Sequence, residues 1–130
     1  MQEPHWITKA ASIAMHNRQL AEHGGGDGIR DETLLESALD RPKNLFFYSD
    51  DPVDTPRMAA SYAYGIANNH PFVDGNKRTA LAVSQTFLAL NGYKFSGSFE
   101  EEYKIFLDLA AGKIDEQTLA QWFADNTEAI

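Results

Sequence analysis

The chain has 130 residues, 43% hydrophobic and 23% charged, with a formal net charge of −8 and no cysteine. This makes one domain, residues 1–130, able to bury roughly 65–70% of its unfolded surface. Disulfides and thiolate metal sites are excluded, and the acidic balance argues against direct nucleic-acid binding, which needs a basic face. No apolar run approaches the ~18 residues of a membrane span. The first residues also lack the basic-then-apolar pattern of a signal peptide. A cytoplasmic location away from any membrane is therefore expected, and the absence of cysteine is compatible with it.

In chain order, Ile7, Ala10, Ala11, Ala14, Met15 and Leu20 predict an amphipathic first helix over residues 6–22. The run Gly24-Gly25-Gly26-Asp27-Gly28 ends it. No strand pattern precedes these glycines and neither phosphate-loop spacing fits them, so they read as a flexible turn. Asp31 caps a second helix with Leu34, Leu35, Ala38 and Leu39 on one side, stopped near Pro42. Residues 43–55 contain the run Leu45-Phe46-Phe47-Tyr48, which has strand propensity, followed by acidic turn residues and Pro52. This segment is either a core-packed connector or a flap.

Pro56 suits the first turn of a third helix running to about Asn69. Met58, Ala59, Tyr62, Ala63 and Ile66 form its apolar stripe, and Ala60, Gly65 and Ala67 allow close packing. A fourth, buried helix follows a loop at residues 70–76 and stops at Asn91-Gly92. Tyr93-Lys94-Phe95-Ser96-Gly97 is a connector. A fifth helix holds Phe99, Tyr103, Phe106, Leu107 and Ala110, ending at Gly112. Asp115 caps a sixth, with Leu119, Trp122 and Phe123 inward. The expected fold is an all-α bundle of about six helices with a motif loop between the third and fourth.

That loop concentrates the chemistry. His70-Pro71-Phe72-Val73-Asp74-Gly75-Asn76-Lys77-Arg78 sets an imidazole, a carboxylate, a glycine turn, an amide and two cations within nine residues. The first turn of a helix has unpaired N–H groups and partial positive charge, so it suits a phosphate chain. Gly75 lets a ligand approach the backbone, and Asn76, Lys77 and Arg78 supply donors. Two cations at the positive end of a helix dipole conflict locally unless an anion binds there. His70 is placed to take a proton from a hydroxyl nucleophile. Asp74 can cap the helix, or hold Mg²⁺ together with phosphate oxygens. Together these residues make a phosphoryl- or nucleotidyl-transfer site. His5, His16 and His23 are expected away from the motif, without zinc-binding spacing, and Trp6 and Trp122 are expected to pack in or near the core.

The run HPFVDGNKR resembles the signature of the Fic/Doc family, written for the Fic branch as H-P-F-x-[D/E]-G-N-G-R-x-x-R. Lys77 replaces the second glycine and Leu81 stands where the final arginine would be. Both departures are similar to the Doc branch, H-x-F-x-[D/N]-[A/G]-N-K-R. The likeness extends through His23-Gly24-Gly25, Gly28-Ile29-Arg30-Asp31 and Leu35-Glu36-Ser37-Ala38-Leu39.

The resemblance implies a toxin of a toxin–antitoxin pair that moves the γ-phosphate of ATP, with Mg²⁺, to a hydroxyl of a protein. In Doc relatives that protein is translation elongation factor Tu. His70 would be the base, Asp74 the metal ligand, and Gly75, Asn76, Lys77 and Arg78 the nucleotide cradle. The alternatives are adenylylation at the same site and a catalytically silent binding protein. Phe72 would anchor the loop in the core, and residues 43–55 would correspond to a flap that aligns the protein substrate. Many Fic relatives carry an inhibitory helix, [S/T]-x-x-x-E-[G/N]. Here Ser98 through Glu102 is followed by Tyr103, so no built-in brake is expected. Restraint would instead come from an antitoxin segment folding as a helix in a groove.

Overall fold

The computed structural model describes residues 2–130. Six helices follow one another: α1 (Lys9–His23), α2 (Glu32–Tyr48), α3 (Thr55–Asn69), α4 (Asn76–Leu90), α5 (Phe99–Ala110) and α6 (Glu116–Asp125). The all-α bundle expected from the sequence is present, with the motif loop between α3 and α4. Among the described residues, no helix is long and apolar enough to cross a membrane.

Side-chain caps begin most of the helices. Asp31 accepts from the Leu34 N–H at 3.0 Å, Asp54 from Arg57 at 2.9 Å and Asp115 from Thr118 at 2.8 Å. Thr8 and Ser98 do the same for α1 and α5. Each such cap contributes about 1 kcal/mol by satisfying an otherwise orphaned donor.

The most deeply buried helix is α3, not α4. Its residues Met58, Ala59, Ala60, Tyr62, Ala63 and Ile66 are fully enclosed by α2, α4 and α6. Small residues make this possible: a Cβ on Gly65 would lie 3.2 Å from the Ala38 backbone on α2. The Tyr62 hydroxyl accepts the Ile7 N–H at 3.0 Å, fastening the N-terminal segment to α3. Burial pushes that hydroxyl's pKa up to about 12. Buried Glu116 on α6 receives Arg41 of α2 and Arg57 of α3, so one carboxylate joins three helices. Trp6 stacks on Phe87 and meets Phe46 edge-on, the packing role expected for it. Half-buried Trp122 packs against Phe95 and Phe123.

Several expectations are corrected. α2 does not stop near Pro42 but continues to Tyr48 with the proline buried inside it. The run Leu45-Phe46-Phe47-Tyr48 is therefore helical rather than extended; Phe46 turns toward the core while Phe47 and Tyr48 face solvent. The supposed connector after α4 contains a strand, β1 (Tyr93–Phe95), paired antiparallel with β2 (Thr127–Ala129). On α5 Phe106 is buried as expected, but Phe99 is 78% exposed and Tyr103 62% exposed, and Glu102 and Leu109 are buried instead. α4 buries Ala80, Val83, Phe87 and Leu88 and leaves a half-exposed face containing Lys77, Leu81, Ala82 and Gln85.

Candidate active site

α3 terminates at His70, which adopts a left-handed conformation with φ 50° and ψ 55°. Among the described residues it is the one non-glycine with positive φ. That conformation costs an L-residue roughly 1–2 kcal/mol, so neighbouring groups must hold it. Arg30 does so: its Nε donates to the His70 carbonyl at 2.6 Å and its Nη2 to the Asn69 carbonyl at 2.8 Å. These are carbonyls at a helix C-terminus, where a cation is also favoured by the dipole.

The loop that follows is laced to the segment before α2. Arg30 and Asp31 N–H groups both donate to the Pro71 carbonyl, at 2.7 and 3.0 Å. Val73 donates back to the Gly28 carbonyl at 3.0 Å, and Ile29 and Phe72 form an antiparallel bridge. Phe72 is 1% exposed and so anchors the loop in the core as expected. The Asn76 side chain closes the loop from within. Its Oδ1 accepts the Phe72 N–H at 2.9 Å and its Nδ2 donates to the Phe72 carbonyl at 3.0 Å. The amide of Asn76 is therefore tied to the loop through its Oδ1 and one Nδ2–H.

Asp74 does not cap α4, contrary to expectation. Its Oδ1 accepts the N–H of Gly75 at 2.8 Å and its Oδ2 that of Gly26 at 3.3 Å. These two amides, the Gly75 one foremost, hold its carboxyl below the usual carboxylate range, with Arg78 nearby adding to the effect. The N-cap of α4 is Gly75, at φ 75°, and no side chain caps the helix among the described residues. Its first-turn N–H groups thus start without a side-chain partner, beside the ammonium of Lys77 and the guanidinium of Arg78.

The residues singled out from the sequence come together. His70, Asp74, Gly75, Asn76, Lys77 and Arg78 all line one open depression of about 450 Å³, with Val73 and Ala110. No residue of the 43–55 segment borders it; most of residues 45–54 line a separate hollow with Arg57. Leu81 lies outside the depression and lines a second, mostly apolar groove of about 440 Å³ between α1, α4 and α5. Lys77 and Arg78 border both spaces. The Lys77 ammonium sits 5.4 Å from the centre of the Tyr103 ring on the groove wall.

The Gly24–Gly28 run is a turn, as expected, and it packs against the motif loop at Val73 and Asp74. A Cβ on Gly25, whose φ is +123°, would lie 2.9 Å from Asp74 Oδ2. His16, contrary to expectation, is not away from the motif. It is 1% exposed, its ring is parallel to Phe72 within 7° at 3.9 Å, and its Nε2 lies 2.8 Å from the Asp74 carbonyl oxygen. Neither contact has a local sequence signal, since each joins residues about 50 positions apart through backbone groups.

Among the described residues, no cluster of three or more His, Cys, Asp or Glu side chains forms a metal site. Asp74 is a single exposed, ionised carboxylate next to the cradle. Magnesium bound through one carboxylate, substrate phosphates and water requires no more from the protein.

The profile of the Fic/DOC family matches residues 6–88. The protein kinase doc of Escherichia phage P1 is 31% identical over 114 residues, covering 88% of this chain and 89% of the relative. The toxin Doc of Mycolicibacterium smegmatis is 39% identical over 77 residues, 59% of each chain, so less than two thirds of that relative is matched. With the profile covering more than half the chain and the phage relative aligned over most of it, the chain belongs to the Fic/DOC family, in its Doc branch.

Proposed function

We propose that this protein is a toxin that transfers the γ-phosphate of ATP to a hydroxyl of a protein substrate. The observation that carries the reading is the juxtaposition of His70 with the uncapped, doubly basic start of α4 in one depression. The relative named a protein kinase and the one named a toxin support the same reading.

The phosphate chain lies against the first-turn amides of α4, with Lys77 and Arg78 offsetting its charge. The acceptor hydroxyl oxygen attacks the γ-phosphorus and the bond to the β–γ bridging oxygen breaks. ADP leaves with the electron pair, and the hydroxyl proton passes to the His70 imidazole. Asp74 would hold Mg²⁺, which when bound would supply further neutralisation of the phosphate charge. His70 is held at the rim by Arg30, and the Asn76 clasp on Phe72 keeps the loop between base and cradle at fixed length.

Translation elongation factor Tu is the acceptor this reading favours, and a small antitoxin is the restraint. An antitoxin helix with an apolar stripe fits the groove between α1, α4 and α5, which is lined by Leu81, Ala82, Tyr103 and Phe106 and adjoins the cradle at Lys77.

ATP labelled separately at the α- and γ-phosphates, offered with a translating bacterial extract, tests the reaction. The γ-label is expected on a protein. Transfer of α-label alone means adenylylation, and binding without any transfer means a silent fold. Expression in a bacterial host is expected to arrest growth and His70→Ala to relieve it. Accumulation of the wild-type chain with no growth defect and no co-purifying partner refutes the toxin reading.

A further inference from the structure

We infer that His16 is a positioning residue for the anion cradle, locking the peptide between Asp74 and Gly75 in the orientation that makes the cradle. This rests on the reading of that loop as a phosphate site.

A carbonyl oxygen only accepts, so the 2.8 Å contact from His16 Nε2 to the Asp74 oxygen requires a proton on Nε2. That carbonyl belongs to the same planar unit as the Gly75 N–H, and in a trans peptide the two point in opposite directions. Fixing the carbonyl toward α1 therefore aims the Gly75 N–H the other way, where it meets Asp74 Oδ1 at 2.8 Å. Asp74 Oδ2 is in turn drawn to Gly26. One imidazole donor thus orients the peptide and, through it, the carboxylate.

The lock is needed because the loop's own chemistry does not supply it. Gly75 sits at φ 75° and is the residue type for which positive and negative φ cost nearly the same. The freedom that lets the backbone approach a ligand also lets this peptide turn over. A flip would point the Asp74 carbonyl oxygen to the side now occupied by its own carboxylate, while removing the N–H that satisfies Oδ1. Negative charge would then be less well neutralised beside the phosphate site.

The setting of His16 is built for a fixed orientation. The ring is buried, lies flat on buried Phe72, and its Nε2 is also near Gly75, where a Cβ would stand 3.7 Å away. Phe72 is itself held by both ends of the Asn76 amide. The imidazole is thus braced by the loop that it orients.

Two substitutions separate donor from ring. His16→Phe keeps a flat ring on Phe72 and removes the donor. His16→Gln keeps an N–H near the Nε2 position and removes the ring. Binding of ATP with Mg²⁺ is measured by titration calorimetry on wild type and both variants, together with melting temperature and the split between KM for ATP and kcat. His16→Phe is expected to weaken ATP about tenfold and to raise KM far more than it lowers kcat, and His16→Gln to stay within about threefold of wild type. Ring ¹⁵N NMR of the wild type is expected to show His16 protonated at Nε2.

Wild-type affinity in a folded His16→Phe protein, equal losses in both variants, or a wild-type ring carrying its proton on Nδ1 alone would each overturn the proposal. The NMR result decides even if His16→Phe fails to fold. A wild-type protein that binds no nucleotide sinks the phosphate-site reading instead, a distinct outcome from wild type binding ATP and His16→Phe binding it equally well.

Discussion

Glu102 offers a quantitative test of how α5 closes on α4. Its side chain is 5% exposed, receives the Gln85 amide, and borders the apolar groove. Burial pushes its pKa from 4.5 up to about 7. Below pH 4.5 the carboxyl is protonated in folded and unfolded chains alike and carries no penalty. As pH rises from 4.5 to about 7, the unfolded chain releases its proton first, so stability falls across that window and is flat above it. The gap, at about 1.4 kcal/mol per pH unit, corresponds to at most about 3 kcal/mol. Water at the groove mouth screens part of this, leaving an expected effect of about 1–3 kcal/mol. Glu102→Gln keeps the shape without the charge. Its melting temperature is expected to match wild type at pH 4 and exceed it by roughly 4–12 °C at pH 8. Comparing the two proteins at each pH cancels the other 18 carboxylate side chains. A melting difference that is the same at pH 4 and 8, or a less stable variant at pH 8, would show that the carboxylate is solvated or paired and refute the reasoning.

Other perturbations probe the site directly. His70→Ala is expected to lower phosphate transfer by roughly 10²–10⁴-fold, the usual share of a general base, with ATP affinity nearly unchanged in calorimetry. Asp74→Asn should shift the Mg²⁺ dependence of the rate to higher concentration, and superimposable titration curves would exclude the carboxylate from metal binding. Gly25→Ala places a methyl against Asp74 Oδ2 at a φ that side chains rarely adopt; a rate loss of about tenfold or more is expected without unfolding by circular dichroism. Arg30→Met removes both donors that hold the left-handed His70. It should reduce kcat by about tenfold while KM for ATP stays put, and equal changes in both parameters would contradict the assignment.

What could be read from the sequence was whatever is encoded within a few residues. Asp31 and Asp115 cap their helices, Pro56 sits in the first turn of α3, and Gly92 follows α4 at positive φ because these are short-range demands of helix ends. The six site residues share a depression because they are neighbours on one loop and one helical turn. The failures are non-local. Pro42 reads as a stop, but it is buried in α2, with Ala38 four residues before it and Phe46 four after it packing into the core. Tertiary burial outweighs the bond that the proline cannot make. β1 and β2 are three residues each, too short to show a period, and they pair across more than 30 positions. His16 and Gly26 act on the loop through Asp74, and nothing about a partner's carbonyl or carboxylate is written next to them in the chain.

Lys77 and Arg78 border two spaces at once, the polar depression and the apolar groove. Any molecule that engages these cations from the groove side changes the field felt by an anion on the other. By thermodynamic reciprocity, the factor by which a groove occupant loosens nucleotide equals the factor by which nucleotide loosens that occupant. With ATP as that anion and the proposed antitoxin as that occupant, release from restraint would follow the cell's ATP concentration as well as the abundance of the partner. Energy charge and partner turnover would enter as a product, with a pair of side chains as the multiplier.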